Sequence, residues 1–200
     1  PYDVYNRKEA LAEVSREPLS FLRIDRAETQ FADDVDTYDP KVYAKARELL
    51  DTMIAEGTFI MEASPCYYLY ELTMNGRSQT GLVACSSVDD YQNGIIKKHE
   101  NTREDKELDR IRHVDATDAH TGPIFLVYRG QKEISEIIED VKNQAPLYDF
   151  VSPDAITHRV WRIGDPDRLA RLEKLFGEIP CTYIADGHHH APRAAAHAAD

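Results

Sequence analysis

Cysteine is scarce in this chain: Cys66, Cys85 and Cys181 make up the whole set. The number is odd and the spacings are unlike those of a zinc site, which argues against a disulfide framework and for reduced thiols filling the core. Long apolar runs are missing too. No stretch approaches the roughly 20 residues needed to cross a bilayer, and the first residues lack a basic-then-apolar leader, so the expectation is a cytoplasmic protein with no membrane partner. Positive charge is in deficit, with 24 Lys and Arg against 36 Asp and Glu and a formal net charge of −12. Coating a nucleic acid needs a basic face, so nucleic acid is excluded as a partner while a local basic pocket is not. Glycine (9) and proline (10) are few and fall at the ends of elements, and neither a repeat nor a low-complexity linker is visible.

What is present is ordinary globular material: 200 residues, 42% hydrophobic and 30% charged. That length and balance read as residues 1–200 forming a single α/β domain with enough apolar residues for a sizeable core. The chain starts at Pro1 instead of Met and stops about two turns into its last predicted helix. It is therefore read as the N-terminal part of a longer protein.

Local patterns divide the chain. Lys8 to Val14 reads as a short helix, and Ser20 to Ile24, after the turn at Pro18, as a strand. Asp39 can cap a helix with Pro40 in its first position, and Val42, Tyr43, Ala46, Leu49, Leu50, Met53 and Ile54 recur at helical spacing until Gly57. That helix is expected to cover a sheet. Tyr67–Thr73 and Gln79–Ser86 read as two half or wholly buried strands joined in a hairpin by Asn75-Gly76. Next come a polar segment at Asp89 to Gly94, a charged helix from about Arg103 to His113, a strand at Pro123 to Tyr128, and an amphipathic helix marked by Ile134, Ile137, Ile138 and Val141. Strands at Leu147–Val151 and His158–Ile163, a helix opened by Asp165-Pro166, and a last strand at Cys181–Ala185 complete the pattern. The fold class is α/β, an α+β mixed sheet flanked by helices.

Chemistry concentrates in two places. Tyr183-Ile184-Ala185-Asp186-Gly187-His188-His189-His190 runs from an apolar strand through an acid and a glycine into three imidazoles and an alanine-rich, helix-forming segment. A strand that turns at Gly into a helix aims its first free backbone N–H groups at one point, where a phosphate can be held. Runs of His are also used as appended tags, but this run is short, follows a strand pattern and is preceded by Asp-Gly. The second place is His99-Glu100, at the mouth of a helix dense in charge: Arg103, Glu104, Asp105, Lys106, Glu107, Asp109 and Arg110. Most of those charges read as a solvated face with pairs such as Arg103–Glu107, and Thr102 with Asp105 as a capping box. Glu100 differs, because the helix N-terminus would hold it ionised as a candidate general base. Trp161, the eleven tyrosines, His113, His120 and His158 read as structural, and Asp33, Asp34 and Asp36 as a solvated acidic loop.

The two motifs together resemble those of the free-serine kinases of the ParB/sulfiredoxin-like superfamily, which show Pro-His-Glu and later Val-Asp-Gly-His-His-Arg. The whole chain is more similar still to a bacterial and archaeal family of unknown function related to those kinases. The likeness runs through Pro1-Tyr2-Asp3-Val4, Ser20-Phe21-Leu22, the stretch from Asp90 to Thr102, Lys106-Glu107-Leu108-Asp109-Arg110, and Tyr183 to His189. It implies a ParB/sulfiredoxin-like phosphotransferase core with an N-terminal extension. The implied activity is phosphoryl transfer from ATP or ADP, with Mg²⁺, to a small hydroxyl acceptor, free L-serine first among them. Carried over, Glu100 is the general base, Asp186 a magnesium-side or substrate-orienting carboxylate, and Gly187, His188 and His189 line the phosphates. His99, Thr102 and Arg110 stand as substrate or supporting residues.

One position departs from the resemblance: His190 stands where the kinases carry Arg, and imidazole is shorter and cannot fork onto two oxygens. Arg193, three residues on, could take that role. Two other readings use the same residues. One is a nucleotide-binding switch of the ParB type without group transfer. The other is a metal-dependent hydrolase with His99, His188, His189 and His190 as ligands. The expected partners are a nucleotide and a small hydroxyl substrate, and a homodimer is compatible with the reading.

Overall fold

The computed structural model describes residues 4–98 and 104–187, with backbone only over 104–107. The chain divides into two compact units, one of Pro1–Met61, Lys98–Phe125 and Ile184–Asp200, the other of Glu62–Lys97 and Leu126–Tyr183. The architecture is mixed α/β.

The first unit is helical. Helix α1 (Arg7–Arg16) opens on a capping box between Asn6 and Glu9, and α2 (Leu22–Asp25) leads through a short 3-10 turn at Ala27–Gln30. Helix α3 (Pro40–Ala55) starts as its sequence requires, with Asp39 accepting the Lys41 N–H at 2.9 Å and Pro40 in the first turn. Its buried face, Val42, Ala46, Leu49 and Met53, packs on Ile24 and Ala27, with Phe21, Phe31 and Phe59 around them. Helix α3 therefore meets other helices, α2 and α5 (Glu104–Thr117), and not a sheet as its sequence suggested. Within Ser20–Ile24, where a strand was expected, the chain instead enters α2 at Leu22. Phe21 and Ile24, three apart, both enter this cluster, and a helical turn puts such a pair on one side where a strand would split it. Arg7 ties the following loop, donating to the carbonyls of Val35 (2.7 Å), Glu28 (3.0 Å) and Ala32 (2.7 Å).

The second unit is a sheet with helices on one face. Strands β1 (Tyr67–Met74), β2 (Arg77–Val83), β5 (Tyr148–Val151) and β6 (Thr157–Ile163) lie in the order β2-β1-β6-β5, all antiparallel. The β1–β2 turn is two residues, Asn75 (φ 51°) and Gly76 (φ 77°), the backbone that tight hairpins need and that Asn-Gly supplies at least cost. Leu69, Trp161 and Ile163 meet Ile134 and Val141 of α6 (Lys132–Lys142) and Leu172 and Leu175 of α7 (Pro166–Gly177) in one core. Asp165 caps α7 on the Arg168 N–H at 2.9 Å. Strand β2 is mostly exposed, contrary to expectation, because it is the sheet's edge and only Thr80 and Leu82 turn inward.

A second sheet of three strands has the order β3-β7-β4, from β3 (Ile96–Lys97), β7 (Thr182–Asp186) and β4 (Phe125–Val127). The short helix α4 (Val88–Gln92), capped by Ser87, precedes β3 where only a polar segment was expected. None of the three thiols is core filler: Cys85 is exposed, and Cys66 and Cys181 are partly so. Among the described residues no helix is long and apolar enough to cross a membrane.

Glu71 is buried on the helix-facing side of β1, where the Lys142 ammonium (2.7 Å) and the Thr80 hydroxyl (2.9 Å) donate to it and Arg159 lies 3.7 Å away. Burial pushes its pKa up, but the donors and the two cations outweigh that and hold the carboxyl below its ordinary value. A carboxyl depressed by folding contributes stability above its unfolded pKa and loses it as pH falls through the folded one. Glu71→Gln should therefore lower the urea midpoint at pH 7 and show a smaller further drop on acidification to about pH 3 than the unaltered chain. Leu172, fully buried at the centre of the core, should cost about 2–5 kcal/mol when cut to Ala, read from the same urea curves.

Candidate functional site

The two motif-bearing strands lie side by side. β3 and β7 pair in parallel, Ile96 opposite Thr182 and Lys97 opposite Tyr183. The Thr182 N–H donates to the Ile95 carbonyl at 3.0 Å, and the Lys97 ammonium sits 5.9 Å from the centre of the Tyr183 ring. Because the pair is parallel, both chains leave the sheet at the same end, and the carboxyl ends of parallel strands are where α/β proteins hold ligands.

β7 ends on the acid. Ile184 is 1% exposed and anchors the strand, whereas Ala185 and Asp186 face solvent. The Gly187 N–H donates to Asp186 Oδ1 at 2.8 Å, and Gly187 has φ 81°, a left-handed backbone that suits glycine and lets the chain turn sharply after the carboxylate. Asp186 and Gly187 are thus placed at the strand's exit, as the sequence suggested. His99, Glu100, Thr102, His188, His189, His190 and Arg193 lie outside the described residues, as does the Thr102–Asp105 cap. Among the described residues no group of three or more His, Cys, Asp or Glu could hold a metal ion.

Arg110, the remaining sequence candidate, lies in the interior of the helical unit. It is 4% exposed, its Nε and Nη2 donate to Asp109 Oδ2 at 3.1 and 2.9 Å, and its Nη1 is 4.0 Å from Asp25. Asp109 Oδ1 accepts from the Tyr43 hydroxyl at 2.8 Å, which joins α5 to α3. His113 Nε2 lies 3.1 Å from the Ile24 carbonyl, and Thr121 donates to Asp25 at 2.9 Å. Burial pushes the Asp25 carboxyl above its ordinary value despite Thr121 and Arg110. The helix read as a mostly solvated charged face thus has Asp109, Arg110 and His113 on its buried side. Their sequence signal is Asp109-Arg110-(Ile111-Arg112)-His113, polar residues at positions where a helix of this length must present something to its neighbour.

His158 heads a cluster that the sequence did not show. Tyr70 Oη lies 2.8 Å from Nδ1, Ser152 Oγ lies 2.8 Å from Nε2, and the Phe150 ring stacks on the imidazole at 4.8 Å. A serine beside an imidazole invites a nucleophilic reading, and proton accounting decides against it. The Ser152 hydroxyl has two acceptor-only partners, Asp154 Oδ1 at 2.5 Å and the Ile156 carbonyl at 3.0 Å, and the first bond is the chief cause that lowers the Asp154 pKa. With its one proton committed, Ser152 accepts from Nε2–H, and Tyr70 donates to Nδ1. An imidazole presenting N–H to the hydroxyl cannot act as its base. The expected neutral tautomer is therefore Nε2–H, which long-range ¹H–¹⁵N correlation of the His158 ring should show. The Nδ1–H form would reverse the assignment.

Over residues 1–200 the chain matches the family described as "Protein of unknown function (DUF1015)". The chain belongs to that family. No curated protein and no solved structure matches it. In this DUF1015 member the described residues among those quoted for the likeness fall on α2, on α4 and β3, on α5 and on β7.

Proposed function

We propose that this protein transfers a phosphoryl group from ATP or ADP to the hydroxyl of a small acceptor, free L-serine first among candidates, on a ParB/sulfiredoxin-like core. The observation that carries the reading is the parallel pairing of β3 with β7. Lys97 stands opposite Tyr183, and along the chain Glu100 is three residues beyond the one and Asp186 three beyond the other. Two stretches far apart in sequence, one with the candidate base and one with an acid and a phosphate-binding turn, thus issue from neighbouring strand ends.

The chemistry asks little covalent work of the protein. The acceptor oxygen bonds to the terminal phosphorus, the bond from that phosphorus to the bridging oxygen breaks, and Glu100 takes the hydroxyl proton. Asp186, an exposed carboxylate at the strand exit, is of the oxygen-donor type that Mg²⁺ prefers, and Mg²⁺ held there would neutralise phosphate charge. Gly187 keeps side-chain bulk away from the turn, and His188, His189, His190 and Arg193, which follow it in the sequence, are the groups we assign to the phosphates.

The test is incubation with Mg²⁺, ATP or ADP and a panel of free amino acids and alcohols, reading phosphorylated product. Glu100→Gln should reduce transfer by about 10²-fold or more while nucleotide affinity stays within about threefold. Transfer at the unaltered rate in that variant would remove Glu100 as base. Saturable nucleotide binding without product from any acceptor would instead favour the switch reading.

A further inference from the structure

A groove of about 710 Å³ lies between α3 and α5 within the helical unit, lined by Tyr38, Pro40, Tyr43, Ala44, Arg47, Arg112 and Ala116. Its size falls in the range of small-molecule sites. Two small side chains, Ala44 and Ala116, leave the space open, two phenol rings wall it, and two guanidinium groups reach it.

The wall is built and held. Tyr43, 7% exposed, donates its hydroxyl proton to Asp109 Oδ1 at 2.8 Å, and burial with that bond raises the phenol's pKa against the opposing charge of Arg112. Arg47 is fixed by Asp51 at 2.8 Å and by the Thr117 carbonyl at 3.1 Å. Arg112 differs from its neighbours on α5. Among the described residues it forms no ion pair, although carboxylates outnumber cations 36 to 24 along the chain. Asp109, three residues before it on the same helix, has one oxygen taken by Tyr43 and the other by Arg110. Arg112 thus offers an exposed guanidinium fork beside an aromatic wall, and that fork suits a carboxylate or phosphate.

We propose that this groove binds a planar aromatic or heteroaromatic molecule bearing one anionic group, its ring between Tyr38 and Tyr43 over Ala44 and Ala116, its anion on Arg112. The proposal stands on α3 and α5 and is independent of the phosphotransferase reading.

Its test uses the full chain with two probes, benzoate for a carboxylate source and AMP for a phosphate source, each with its neutral counterpart, benzamide and adenosine. Binding is followed by amide shifts of α3 and α5 in ¹H–¹⁵N spectra. At least one anion should shift them saturably, at least tenfold more tightly than its neutral counterpart, and the stronger probe names the source. Arg112→Gln should weaken that probe at least tenfold with the rest of the spectrum unchanged, and Ala44→Leu, which fills an exposed helical position, should abolish it. Absence of saturable shifts with both anions, or equal affinity in Arg112→Gln, would overturn the proposal. Glu100→Gln should leave this binding unaltered, which separates it from failure at the β3–β7 end.

Discussion

The candidate site at Asp186-Gly187 rests on one constraint, the pairing of two short parallel strands, β3 and β7. Antiparallel neighbours can be closed by a tight turn, as Asn75-Gly76 closes β1 on β2, but a parallel pair needs a long crossover that returns the chain to the same end of the sheet. Between Lys97 and Thr182 the chain supplies that return with α5, β4, α6, β5, β6 and α7. Its reward is that two distant stretches emerge together. The pairing is brief, Ile96 with Thr182 and Lys97 with Tyr183, so the buried Ile184 just beyond it carries much of the strand's anchorage.

Glu71 in the sheet unit and Asp25, largely buried in the helical unit, respond in opposite directions. Glu71 receives a direct ammonium donor at 2.7 Å and a hydroxyl at 2.9 Å, with a second cation at 3.7 Å. Its ionised form gains more from these than burial costs. Asp25 has a hydroxyl at 2.9 Å, but the Arg110 guanidinium stands off at 4.0 Å, and the His113 imidazole lies 3.9 Å away. Desolvation then prevails and the carboxyl is pushed up. Arg110 spends its short contacts on Asp109, so the α3–α5 contact through Tyr43 is served first. The same arrangement leaves Arg112 facing the groove.

Much of the framework was legible in the sequence because its signals are local. Asp39-Pro40 and Asp165-Pro166 each place a capping carboxylate before a residue already shaped for the first helical turn, and α3 and α7 begin there. Asn75-Gly76 gives a two-residue hairpin because both positions need positive φ. The misreadings came where a local pattern has two solutions. Ser20–Ile24 alternates acceptably for a strand, yet packing Phe21 and Ile24 on α3 selects a helix. β2 carries a strand pattern that says nothing about whether a further strand will cover it.

The sequence by itself determined the caps, the turns, the apolar faces of α3, α6 and α7, and the identity of Asp186-Gly187 as an acid followed by a turn, since these follow from dihedral preference and hydrogen bonding within a few residues. Only the tertiary structure decided that α3 lies on helices, that Asp109, Arg110 and His113 are on the inner side of α5, that Tyr70 meets His158, and that β3 runs beside β7. Those outcomes turn on which surfaces meet. Burial, proton sharing and strand neighbours are properties of pairs of segments, and no single segment encodes its partner.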